Sequence, residues 1–139
     1  MKKNAVIHIK GGLGNQLFQF SFAQYLKNQG INVFVNTSNY EKSKRYLNPG
    51  VDIRELIFSP KCFNLNELND FYFNIVNNFN RITKTRIINK PNDDNFKLEN
   101  IKYINFFDGY WQYPEMFIEN KRFLQKAISS EKIIRTGFE

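Results

Sequence analysis

Apolar and polar positions follow two different periods near the start of the chain. Residues 5–10 (AVIHIK) are β-branched and alternate. That pattern predicts a strand with Ala5, Ile7 and Ile9 on one side and Val6, His8 and Lys10 on the other. From Gln16 to Asn28 the period lengthens. Phe18, Phe22, Tyr25 and Leu26 recur at helical spacing, and Phe20 and Ala23 widen that face into one suited to packing on a sheet. Gly30 is a helix stop, and residues 31–36 (INVFVN) predict a second strand. Strand, tight loop, helix and strand form a βαβ unit, which implies parallel strands and a right-handed crossover.

The middle of the chain is less regular. Pro49 and Gly50 mark a turn before an apolar stripe of Ile53, Leu56 and Ile57. Residues 64–100 are rich in Asn, with helical spacing around Leu65, Leu68, Phe71, Tyr72, Ile75, Val76 and Phe79. The asparagine abundance reads as a nucleotide-composition bias rather than a polar tract with a job. Residues 89–95 (NKPNDDN) predict a surface loop. Farther on, residues 101–107 (IKYINFF) predict a strand, 108–114 (DGYWQYP) a loop and 115–128 (EMFIENKRFLQKAI) a helix. Pro114 falls at that helix's first turn, where its missing N–H costs nothing. Phe117, Leu124 and Ile128 form its stripe, flanked by Met116, Phe123 and Ala127. The expected fold is α/β: a Rossmann-like parallel sheet with flanking helices, one domain over residues 1–139.

Composition narrows the function. At 139 residues and 42% hydrophobic, the chain is long enough for a real core and too apolar for a disordered polymer. A net charge of +7 favours anionic partners. Nucleic acid, a nucleotide sugar and an anionic membrane face all qualify. Cys62 and His8 are the only residues of their kinds, so no intrachain disulfide and no protein-only metal centre is expected. The apolar stretch behind the initial Met-Lys-Lys is short and carries His8 and Lys10, a poor signal peptide. A cytoplasmic chain, at most peripheral to the inner face of a membrane, is the expectation.

Three of the seven glycines, Gly11, Gly12 and Gly14, lie between the first strand and the first helix. Glycines there let the backbone turn sharply and let a ligand touch the main chain. Asn15 is then expected as the helix N-cap. Free N–H groups and the positive end of the helix dipole make such a place an anion site. The dinucleotide fingerprint fails at Leu17, where its third small residue should stand. The Walker pattern fails at Asn15 and Gln16. A strand-to-helix turn with no ligand is an equally good reading of these glycines on their own.

The wider string GGLGNQLFQFSFA, residues 11–23, resembles the amino-terminal signature of glycosyltransferase family 11, the α-1,2-fucosyltransferases. Phe20 and Ser21 depart mildly from it. A second stretch, DGYWQYPEMF at residues 108–117, is similar to the family's Gly-Tyr-Trp-Gln motif. Gly109, Tyr110, Trp111, Gln112 and Phe117 match, whereas Tyr113, Pro114 and Glu115 depart. The resemblance implies a GT-B-like architecture of two Rossmann-type halves. It also implies an inverting, metal-independent transfer of L-fucose from GDP-fucose to a galactose 2-hydroxyl, with no cofactor. The family's donor motif, His-x-Arg-Arg-Gly-Asp-Tyr, is not among these residues. The chain therefore looks like the amino-terminal half of such an enzyme, inactive by itself.

By that resemblance, Gly11, Gly12, Gly14, Asn15, Gln16, Tyr110, Trp111 and Gln112 are candidate binding residues for donor or acceptor. Asn15 is also a candidate orienting residue and Asp108 a candidate catalytic carboxylate. His8 reads as a scaffold residue on its strand, and Asp108 equally as a turn former before Gly109. Trp111 reads as well as a core anchor as it does as a sugar platform. The clusters at residues 42–46 and 81–86 read as solvated basic faces. Two other function classes stay open: a basic nucleic-acid-binding module, for which no RRM, KH or zinc-finger pattern appears, and a folded remnant without catalysis.

Overall fold

The structure, a computed structural model, describes residues 2–38, 60–69, 71, 74–75, 78 and 88–129. Strand β1 (Asn4–His8) is followed by helix α1 (Leu13–Asn28) and strand β2 (Asn32–Asn36). Two-residue strands β3 (Asn66–Glu67) and β4 (Ile88–Asn89) precede strand β5 (Ile104–Asp108). Helices α2 (Pro114–Glu119) and α3 (Lys121–Ser129) come last. The sheet has the order β3-β2-β1-β5-β4, and every neighbouring pair is parallel. This is the expected α/β, Rossmann-like sheet with flanking helices.

Register explains the core. Val33, Ala5 and Asn105 align in one row, and Val35, Ile7 and Phe107 in a second row on the same face. All six are buried. On the opposite face Phe34, Val6 and Phe106 align. Helix α1 lies on the first face, where Phe20 stacks on Phe63 at 4.2 Å and Phe22 stacks on Trp111 at 4.7 Å. Phe22 also meets Phe107 edge-on at 5.0 Å. Such pairs each add about 0.5–1.5 kcal/mol beyond the area they bury. The buried stripe of α1 is therefore rotated from the expected one: Phe18 and Tyr25 sit at its half-buried margin, and Gln16, Gln19 and Ser21 are buried with the apolar residues.

Three expectations change with tertiary context. Leu65 and Leu68 flank β3 rather than sitting on a helix, because Leu68 N–H donates to the Val35 carbonyl and the segment pairs with β2. The long helix over residues 115–128 is two helices. Asn120 lies at the break, where its buried side-chain amide donates to the Ser21 and Met116 carbonyls. An Asn that bonds the backbone competes with continued helix. The strand expected from residue 101 begins at Ile104, because residues 98–100 take a tight 3-10 turn. Pro114 does stand in the first turn of α2, and Gly30, at φ +79°, ends α1. The expectations at residues 42–46, 49–50, 53, 56–57, 72, 76, 79 and 81–86 and at the side chains of Ala127 and Ile128 lie outside the described residues.

Chain direction across the sheet reverses beside β1: β2 and β3 extend one way, β5 and β4 the other. His8 and Asp108, the last residues of β1 and β5, stand opposite each other in register. The carboxyl ends of strands at such a reversal are where open α/β sheets form a crevice for ligands.

Candidate functional site at the β1/β5 switch point

The loop after β1 assigns its glycines different jobs. Gly11 has φ +82°, and a Cβ there would lie 2.9 Å from Asn15 Nδ2 and 3.0 Å from Tyr110 Cε1. Only glycine fits both the conformation and the space. Gly12 has φ −72°, and neither Gly12 nor Gly14 has anything within 4 Å of where a Cβ would be. Neither the fold's geometry nor its packing requires glycine at those two positions. They leave bare backbone on the surface at the start of α1.

Gly12 is the N-cap of α1, no side chain caps the helix, and no acidic residue stands in its first turn. This corrects the expectation for Asn15, which lies inside the helix as its third residue. Gly12 can take the cap because it adopts the extended conformation there and the chain enters the helix one turn earlier than the apolar period indicates. The Asn15 side chain is turned to the second loop instead: its Oδ1 accepts from Gln112 Nε2 at 2.8 Å. The two stretches that carry the family resemblance thus meet in space.

Buried glutamines hold the loops together from beneath. Gln16, 1% exposed, donates through Nε2 to the Gly11 carbonyl. It braces the loop from inside. Gln19 is fully buried; its Oε1 accepts from Lys10 N–H, and its Nε2 donates to the carbonyls of Lys10 and Gly109. Sequence reasoning passed over Gln19. The available signal was a polar residue in the middle of an apolar helix face.

The loop after β5 is similarly built. Trp111 takes φ +53°, unusual for a bulky residue, and is 1% exposed with its indole on Phe22. It is packed as a core anchor. Tyr110 and Gln112 on either side of it are exposed, Tyr110 at 41%. Asp93 supports this turn: its Oδ2 accepts from Tyr110 N–H at 3.0 Å, and its carbonyl accepts from the Tyr113 hydroxyl. A Cβ on Gly109 would stand 2.2 Å from Asp93 Oδ1, so any side chain there would push the Asp93 carboxylate off its place. Nothing in the loop-like composition around Asp93 signals that role.

Lys10 and Asp108 close the rim. Lys10 Nζ lies 2.8 Å from Asp108 Oδ1 and 5.3 Å from the centre of the Tyr110 ring. The hydrogen bond to Asp108, reinforced by its charge, holds the Lys10 amine above the ordinary lysine pKa despite partial burial. Burial, with Asp93, Asp94 and Glu115 nearby, raises the Tyr113 phenol. Asp108, expected as a catalytic carboxylate, is 70% exposed and ion-paired to Lys10. His8 is half-buried on the ladder beside it.

The exposed groups at this edge are thus backbone N–H at a helix start, two neutral amides, a phenol ring and an ion pair. The amides and ring suit sugar hydroxyls and the apolar face of a hexose; the helix start suits an anion. Among the described residues no group of His, Cys, Asp and Glu is placed to hold a metal ion, and no helix is long and apolar enough to cross a membrane. The chain matches no family model, no curated protein and no solved structure. The chemistry of this crevice therefore rests on the two converging loops themselves.

Proposed function

We infer that the crevice between the Gly11–Gly14 and Gly109–Gln112 loops is the amino-terminal side of a fucosyltransferase site, in a GT-B-like enzyme that transfers L-fucose from GDP-fucose to a galactose 2-hydroxyl with inversion. One observation carries the reading: Gly12 and Gly14 have no structural need to be glycine, yet stand bare in the chain next to Gly11, which meets the exposed Tyr110 ring, and Asn15, which pairs with the Gln112 amide. Bare backbone in that company is what close approach of a polar ligand uses.

Inversion needs in-line attack of the acceptor hydroxyl oxygen on the anomeric carbon, through a transition state with oxocarbenium character. The new glycosidic C–O bond forms as the bond to the pyrophosphate oxygen breaks, and the hydroxyl proton leaves to a base. In this reading Tyr110 stacks on a hexose face, Asn15 and Gln112 orient hydroxyls, and the N–H groups of residues 12–15 meet a sugar oxygen or a donor phosphate. Asp93, Asp94, Asp108 and Glu115 make this edge better suited to neutral sugar than to pyrophosphate. Cationic groups for the departing diphosphate fall to the family's His-x-Arg-Arg-Gly-Asp-Tyr motif, which residues 1–139 do not contain.

Amide chemical-shift titration of the chain tests this. GDP-fucose or a β-galactoside is expected to move the resonances of residues 12–15 and 110–112, with ATP leaving them in place. Indifference of those amides to both sugars, or an equal response to ATP, overturns the assignment.

A further inference from the structure

The opposite edge of the sheet carries a different chemistry. Lys2 and Lys3 precede β1, Lys27 ends α1, and Lys97 and Lys102 precede β5, all exposed. Among the described residues that lead into β1 and β5, Glu99 is the acidic one. Parallel strands of five residues separate this edge from the switch-point crevice by roughly 16 Å. That is about two screening lengths at physiological salt. The acidic groups around Tyr110 therefore do not cancel these lysines, and the chain presents two edges of opposite character.

The lysines are mounted on backbone that asparagines pin. Asn105, fully buried, accepts from Lys102 N–H and donates to the Lys102 carbonyl. Asn4 donates to the Lys2 carbonyl, and Asn32 N–H donates to that of Lys3. Two of these anchors, Asn4 and Asn105, act through their side-chain amides, and Asn32 through its backbone. Two open clefts, about 260 and 350 Å³, indent this same edge and share Lys2, Gly30 and Ile31. Tyr103, 51% exposed, is held beside Lys2 by the Asn4 amide and backbone.

We propose that this lysine edge docks the protein on an anionic lipid bilayer, with lipid phosphates against Lys2, Lys3, Lys97 and Lys102 and Tyr103 at the headgroup level. Charge complementarity selects the occupant. Lysines on flexible stems, set at one level around shallow clefts, match the diffuse negative field of a headgroup layer. A tyrosine among them matches the interfacial preference of that ring. A single-stranded nucleic acid instead calls for a row of stacking aromatics with arginine, and this edge offers one ring. Docked this way, the chain turns the switch-point crevice toward water. The inference is independent of what that crevice binds.

Vesicle co-sedimentation of the full chain tests it. Vesicles of phosphatidylcholine and phosphatidylglycerol in equal parts are expected to bind the chain, and pure phosphatidylcholine vesicles to leave it in solution. Each lysine neutralised on this edge is expected to weaken binding about fivefold. The triple variant Lys2→Gln, Lys3→Gln, Lys102→Gln then loses roughly a hundredfold. A variant with Lys121→Gln, Arg122→Gln and Lys126→Gln on α3 removes the same charge elsewhere and is expected to bind nearly as the parent, with circular dichroism confirming that both variants are folded. Equal loss in the two variants, no binding to the anionic vesicles, or tighter binding to single-stranded RNA with the same variant dependence overturns the proposal.

Discussion

The side-chain amide of Gln112 donates to Asn15 Oδ1 at 2.8 Å, joining residues 97 positions apart. The contact ties the first turn of α1 to the loop after β5 and sets the spacing between the two exposed amides of the crevice. Because both ends are polar and open to water, the bond's net contribution is modest, about 0.5–1.5 kcal/mol.

A double-mutant cycle measures it. Asn15→Ala and Gln112→Ala are each expected to cost about 1 kcal/mol in urea unfolding, and the double variant little more than either alone. Strictly additive costs would mean that the pair is not formed in solution.

The glycines separate conformation from access. Gly14→Ala sits in open space in the first turn of a helix, so it is expected to stabilise the fold by roughly 0.5–1 kcal/mol while weakening the sugar-dependent shifts proposed above. Gly109→Ala collides with the Asp93 carboxylate and is expected to cost about 2 kcal/mol or more by losing the bond to Tyr110 N–H and displacing the loop. Thermal melts of the two variants should move in opposite directions.

Gln19→Leu keeps the bulk of the side chain and removes its bonds to Lys10 and Gly109. Leaving buried backbone groups without partners costs about 1–3 kcal/mol apiece. A loss of several kcal/mol is therefore expected, read as a lower urea midpoint at unchanged slope. Gln24→Ala, which loses a solvent-side bond to Asn28 on the same helix, is expected to fall within about 0.5 kcal/mol of the parent.

Alkaline pH should loosen this edge. Lys10 and Tyr113 both have pKa values raised in the folded chain. Their contributions are fully present below the ordinary lysine and tyrosine values and are lost as pH rises through the folded ones. Stability is thus expected to fall above about pH 10. Lys10→Met should remove part of that slope at a cost near neutral pH of at most about 1 kcal/mol, since the pair with Asp108 is largely solvated. Tyr113→Phe should remove another part. Urea midpoints measured from neutral to alkaline pH check both.

How far the sequence foretold this arrangement depends on how local each cause is. The βαβ unit was legible because the alternation of residues 5–10, the helical period through Leu26 and the stop at Gly30 each act within a few positions. The pairing of the glycine loop with the Gly109–Gln112 loop was not legible, since no period links them; the resemblance marked residues of both as binding candidates without joining them. Asp93 was illegible: its loop chemistry is ordinary, and only the β5 turn packed on it gives it a role. The break at Asn120 was missed because the burial that turns its amide onto Met116 and Ser21 comes from helix α1, far away in sequence. Asn15 was misplaced by one turn because Gly12 caps the helix through its backbone conformation alone, without any side-chain signal.

Gln19, beneath both loops, has a consequence for engineering. Its single amide holds Lys10 from two sides and Gly109 from a third, so neither loop can be transplanted from another protein by itself. A graft that reshapes one would strand polar atoms under the other, and the exchangeable unit is both loops together with the helical turn that carries Gln19.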